Sequence, residues 1–90
     1  MSVWTEVQGV VRLKKNSKFS FATYIEEHFM EATPKIQQTT YKDYLVVDFK
    51  FNFSDSNLAA AIDLNNFVKK IKEYDKNAWV DIYANIRSLA

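Results

Sequence analysis

The sequence predicts a single α+β domain: a four-stranded antiparallel sheet with two helices packed on one face. Three observations predict it. Four segments alternate apolar and polar residues with period two. Two others repeat apolar residues every three or four positions. They follow one another as strand, helix, strand, strand, helix, strand. A chain of 90 residues suits one domain, 1–90, with one modest core.

Residues 3–13 form the first strand. Val3, Thr5, Val7, Gly9, Val11 and Leu13 fall on one side, and Trp4, Glu6, Gln8, Val10 and Arg12 on the other. β-Branched residues at period two mark a half-buried strand. Residues 20–32 fit a helix with Phe21, Ile25, His28, Phe29 and Ala32 on one face and Tyr24 beside them. Ser17 or Ser20 supplies its cap, and Thr33-Pro34 stops it. Residues 36–41 read as a weak strand and Lys42-Asp43 as a hairpin turn. Residues 44–53 are the strongest strand. Leu45, Val47, Phe49, Phe51 and Phe53 face a core, while Tyr44, Val46, Asp48, Lys50 and Asn52 face away.

Ser54-Asp55-Ser56-Asn57 holds the next cap. The helix that follows runs to about Tyr74, with Ala61, Leu64, Phe67, Val68, Ile71 and Tyr74 as its apolar stripe. Asp75-Lys76-Asn77 ends it. Residues 78–87 alternate again. Ala78, Val80, Ile82, Ala84 and Ile86 face inward, and Trp79, Asp81, Tyr83, Asn85 and Arg87 outward.

This element order resembles that of the ferredoxin-like fold. Right-handed crossovers place both helices on one face and imply the strand order 4-1-3-2. The rival is a mixed α+β domain in which residues 36–41 stay irregular. The resemblance is one of topology and implies no activity, because many functions share the fold.

Composition excludes several chemistries. There is no cysteine, so disulfides, thiol nucleophiles and Cys-based metal sites are ruled out. One glycine, Gly9, and one proline, Pro34, leave no phosphate-cradling loop. His28 is the only histidine. Its catalytic use lacks a partner, because Glu27 is adjacent on the helix and does not face it; a structural histidine is the expectation. Asp48 and Asp81 share a face but lie on separated strands, too loose for a divalent ion. No catalytic residue, metal or cofactor is expected. Met1–Glu6 lacks a basic, apolar leader and no apolar run spans a membrane, so a cytoplasmic location is expected.

The sheet face opposite the helices is the best functional surface the sequence offers. Its candidate interaction residues are Trp4, Arg12, Tyr44, Val46, Trp79 and Tyr83, with Arg12 between Tyr44 and Trp79 and Gln8 near Tyr83. Trp, Tyr and Arg suit protein interfaces. RNA-recognition sheets instead carry stacking aromatics on a central strand. Here Phe49 and Phe51 point inward and Asp48 and Asp81 oppose phosphate.

Net charge is only +1, but charge is unevenly placed. Arg12, Lys14, Lys15, Lys18, Lys42, Lys69, Lys70, Lys72 and Lys76 gather at one end, with Asp43, Glu73 and Asp75. Most remaining charges are acidic. The expected function is a non-enzymatic protein-interaction module, a regulator or inhibitor, binding another protein or itself as a homodimer. The alternative is single-stranded nucleic-acid binding by the sheet face and the basic pole. An enzyme whose site forms only between subunits ranks third.

Overall fold

Six elements follow in the expected order: β1 (Ser2–Lys14), α1 (Phe21–His28), β2 (Lys35–Tyr41), β3 (Tyr44–Ser54), α2 (Asn57–Tyr74) and β4 (Trp79–Leu89). The computed structural model describes residues 2–16, 18–54 and 57–89, with side chains at 4–16, 18–54 and 58–85. The capping roles expected of Ser17 and Asp55 lie outside the described residues. The strands form one antiparallel sheet in the order β2-β3-β1-β4, with both helices on one face, matching the ferredoxin-like fold. Residues 35–41 form a regular strand, which removes the irregular rival.

Alternation dictates the core. Thr5, Val7, Val11 and Leu13 of β1 and Val47, Phe49, Phe51 and Phe53 of β3 are buried, with Phe21, Ile25 and Phe29 from the first helical region and Ala60, Phe67 and Ile71 from α2. Phe67 is the centre of this packing. Its ring lies 5.2–6.4 Å from those of Phe19, Phe21, Tyr24, Phe29, Phe49 and Phe51. Offset and edge-on ring pairs at such distances add to area burial. Gly9 makes room for one of these rings: a Cβ there would lie 2.7 Å from Phe49 Cζ and 2.9 Å from the Asp81 carbonyl oxygen.

Both helices depart from the expected register. α1 begins as expected, with the Ser20 hydroxyl accepting from Thr23 N, but ends at His28 rather than at Ala32. Phe29 is already extended, and Glu31 has a φ of 60°. Leaving the helix carries the Phe29 ring to within 4.9 Å of Phe51 and 4.8 Å of Phe53. The Met30 carbonyl then accepts from Ser54 N, which fixes the turn to β3. His28 consequently lies exposed, off the buried face.

In α2 the buried stripe is Ala60, Phe67 and Ile71 with Leu64 partly buried, while Ala61 is exposed and Tyr74 is 48% exposed. Three consecutive alanines, 59–61, offered no size contrast to fix the rotation. Ala78, just before β4, is buried and Val80 and Ile82 on β4 are partly so, but Ala84 is exposed. β4 is an edge strand. The 18 residues of α2 span about 27 Å at 1.5 Å each. The 13 residues of β1 reach about 43 Å at 3.3 Å each, so the sheet outruns its cover.

Asp75 is the main polar feature the sequence reading missed. Counted there among the surface charges, it is only 6% exposed. Its carboxylate accepts from Lys14 N at 2.9 Å and from Asn77 N at 3.0 Å. Its own N–H donates to Ile71 O, and its carbonyl accepts from Ala78 N. Lys72 Nζ donates to Ala78 O at 2.7 Å. One aspartate thus joins the end of α2, the turn to β4 and the end of β1.

Two outcomes are expected in urea titrations. Phe67→Ala should lower stability by about 3–5 kcal/mol through lost burial and a cavity, enough to unfold much of a domain this size. Asp75→Asn should cost about 1–3 kcal/mol, because an amide turns a donor toward one of two backbone N–H groups.

Candidate protein-association face

Strand pairing sorts the uncovered face into rows. Neighbours across β2, β3, β1 and β4 share a face when directly opposite. The row nearest the hairpin turn holds Tyr41, Tyr44 and Lys14. The next holds Thr39, Val46, Arg12 and Trp79, then come Gln37, Asp48, Val10 and Asp81, and then Lys35, Lys50, Gln8 and Tyr83. Beyond these lie Asn52, Glu6 and Asn85, and finally Ser54, Trp4 and the backbone of Arg87. The Arg87 side chain lies outside the described residues.

The six candidate residues therefore do not form one cluster. Arg12, Tyr44, Val46 and Trp79 come together. The Arg12 guanidinium lies 4.9 Å from the centre of the Tyr44 ring, and Arg12 pairs directly with Trp79. Such cation–ring stacking holds a long side chain flat on the sheet. Tyr83 stands two rows away, beside Gln8 as expected. Trp4 stands at the far end, eight residues along β1, or about 26 Å at 3.3 Å per residue. The alternation put all six on one face; only the register separates them lengthwise.

The cluster is open to solvent, with Tyr44 42% and Trp79 49% exposed, and so is Tyr83 beyond it, at 62%. Tyr41 joins it, 60% exposed and directly opposite Tyr44. Sequence reasoning passed over Tyr41, although a two-residue turn at Lys42-Asp43 already implied that pairing. Lys42, with a φ of 54°, lies over the Tyr41 ring at 5.3 Å. Lys15 N donates to Asp43 O, so the basic β1 end closes against the hairpin. An open groove of about 480 Å³ crosses the middle of the face between Gln8, Val10, Lys35, Asp48, Lys50 and Tyr83.

The other side of the molecule carries a groove of about 620 Å³ between α1 and α2. His28 sits at its edge. Its Nδ1 donates to Tyr24 O at 3.0 Å, and its ring stacks on Tyr24 at 4.0 Å. Tyr24 in turn stacks on Phe67. Burial, then the nearby Asp63 carboxylate, hold the Tyr24 phenol above its ordinary pKa. α2 also exposes Leu58 and Ile62, and the turn after α1 exposes Met30. Among the described residues, no group of three His, Asp or Glu side chains is placed to hold a metal ion, and no helix is long and apolar enough to cross a membrane.

Neither a protein-family model nor a curated protein matches the sequence. Among solved structures the chain is similar to the de novo designed protein Foldit4, at 13% identity and a TM-score of 0.65, over 98% of this chain and 100% of that one. That likeness is one of fold.

His28→Gln should leave the circular dichroism spectrum and any partner binding unchanged and lower stability by about 1 kcal/mol or less, through loss of the ring stack. Complete loss of binding with an intact fold would give His28 a functional role.

Proposed function

We propose that this chain is a small, non-enzymatic protein-association module of the cytoplasm that binds protein through its uncovered sheet face. The carrying observation is the open aromatic cluster at one end of that face, Tyr44 and Trp79 flanking Arg12 and Val46. These residues have no part in the helix-covered core, so a partner can cover them without disturbing it. Aromatic rings and arginine bring large contact areas at low entropic cost and dominate the energetics of protein interfaces. Carboxylates in the same face, Asp48 and Asp81, find donors at a protein surface but repel a phosphate backbone.

Single-stranded nucleic acid is the second reading. It is favoured by the Lys14, Lys15 and Lys42 amines beside the aromatic end, which would track phosphates while rings stack on bases.

The Trp79→Ser/Tyr83→Ser variant should keep its circular dichroism and lose protein association, measured by sedimentation velocity over a concentration series. Wild-type association by the variant would defeat the reading. Salt-sensitive oligonucleotide binding by the wild type, lost in the variant, would replace it with the nucleic-acid one.

A further inference from the structure

We propose that the partner on this face is a second copy of the same chain. The copies pack face to face about a two-fold axis that crosses the strands between the Asp48–Asp81 row and the Lys50–Tyr83 row. The inference rests on the protein-association reading and names its partner.

The argument is one of charge and register. In each chain Lys35 and Lys50 are directly opposite cross-strand neighbours. Like charges so placed are destabilising, and among the described residues neither lysine forms an ion pair. One row away, Asp48 and Asp81 flank Val10. A two-fold axis lying in the interface and running across the strands sets every strand against its own copy, antiparallel. With the axis between these two rows, Lys50 of one copy meets Asp48 of the other, and Tyr83 meets Asp81. Symmetry repeats each pairing, as an isologous interface requires. The same operation sets the Arg12 row against the Glu6 row of the second copy. Moving the axis onto either row would instead set Asp48 against Asp48 or Lys50 against Lys50.

Geometry favours the same place. Face-to-face sheets pack about 10 Å apart with strands crossing at about 30°. Residues near the axis stay opposite one another under that rotation, whereas distant rows slide apart. Asp48 and Lys50 lie on β3, one of the two central strands, and the open groove runs between their rows. Strand spacing and rise give the face an area of about 600 Å² per copy, at the low end for a specific dimer. A reversible dimer of modest affinity follows.

Sedimentation equilibrium on the full chain, from micromolar to millimolar concentration, tests this. Wild type should self-associate. Asp48→Lys alone sets lysine against Lys50 of the other copy. Lys50→Asp alone sets aspartate against Asp48. Each should weaken the dimer by about tenfold or more, since the unfavourable pair occurs twice. The D48K/K50D double variant should recover association, and an equimolar mixture of the two single variants should form a mixed dimer. Both positions being exposed, the variants should fold. Lys50→Asp should also raise the urea midpoint of the monomer by relieving its repulsion with Lys35, so its stability and its association move in opposite directions.

A wild type that stays monomeric overturns the proposal, as do single reversals that associate like wild type or fail to complement each other. If charge reversals have no effect while Trp79→Ser/Tyr83→Ser still weakens the dimer, the face is retained and the axis is wrong. If the wild type is monomeric and binds only oligonucleotide, both readings fall.

Discussion

The structure depends on how an aromatic core is fitted between a long sheet and two shorter helices. Phe67 projects from α2 into rings supplied by α1, β3 and the flanking loops. Phenylalanine fills that space with few residues, which a chain this short needs. The arrangement has a backbone condition. β1 lies between β3 and β4, and a side chain at residue 9 would collide with Phe49 and with the β4 backbone. Gly9 is therefore a packing glycine. It is needed because of the neighbouring ring and not because of any turn.

Concentrating the core on one face leaves the other without structural work. The inner positions of β1 and β3 carry the apolar burial, so their outward neighbours are free to be tryptophan, aspartate or lysine. The polar counterpart lies at the molecule's basic end. There Asp75 satisfies backbone donors of β1 and of the turn into β4. By fixing where β1 ends and β4 begins, it also holds Arg12 and Trp79 in adjacent positions. The aromatic end of the face thus depends on a carboxylate that does not belong to it.

Strand alternation was legible in the sequence because its period is two and an error of one residue would turn Phe49, Phe51 and Phe53 to solvent. Six candidate residues could therefore be assigned to one face. Antiparallel order also placed Arg12 between Tyr44 and Trp79 and Gln8 near Tyr83, as the sheet has them, but alternation within a strand says nothing of how far Trp4 lies from the rest. Pairing of Trp4 with Ser54, at the opposite end of β1 from Arg12, is a property of the assembled sheet. The helices were less legible for local reasons. Alanines 59–61 look alike from any side, and Phe29 was as acceptable in a last helical turn as in the extended segment that delivers it to the core. Asp75 looked like any charge in a turn, since its donors come from residues as distant as Lys14.

The sheet edges bear on why association would use the face. β2 leaves one edge of the sheet unpaired over residues 35–41, a template for adding a strand. Its sequence discourages that use. Lys35 and Lys42 bracket the edge, and its middle, Gln37, Gln38, Thr39 and Thr40, offers little apolar area for a neighbour to cover. Two copies joined antiparallel along β2 would also bring Lys35 of one near the Tyr41–Lys42 end of the other, cation toward cation. The open face has the opposite character. Tyr41, Tyr44 and Trp79 gather at one end, its charges alternate in sign from row to row near the middle, and a half-turn converts that alternation into attraction.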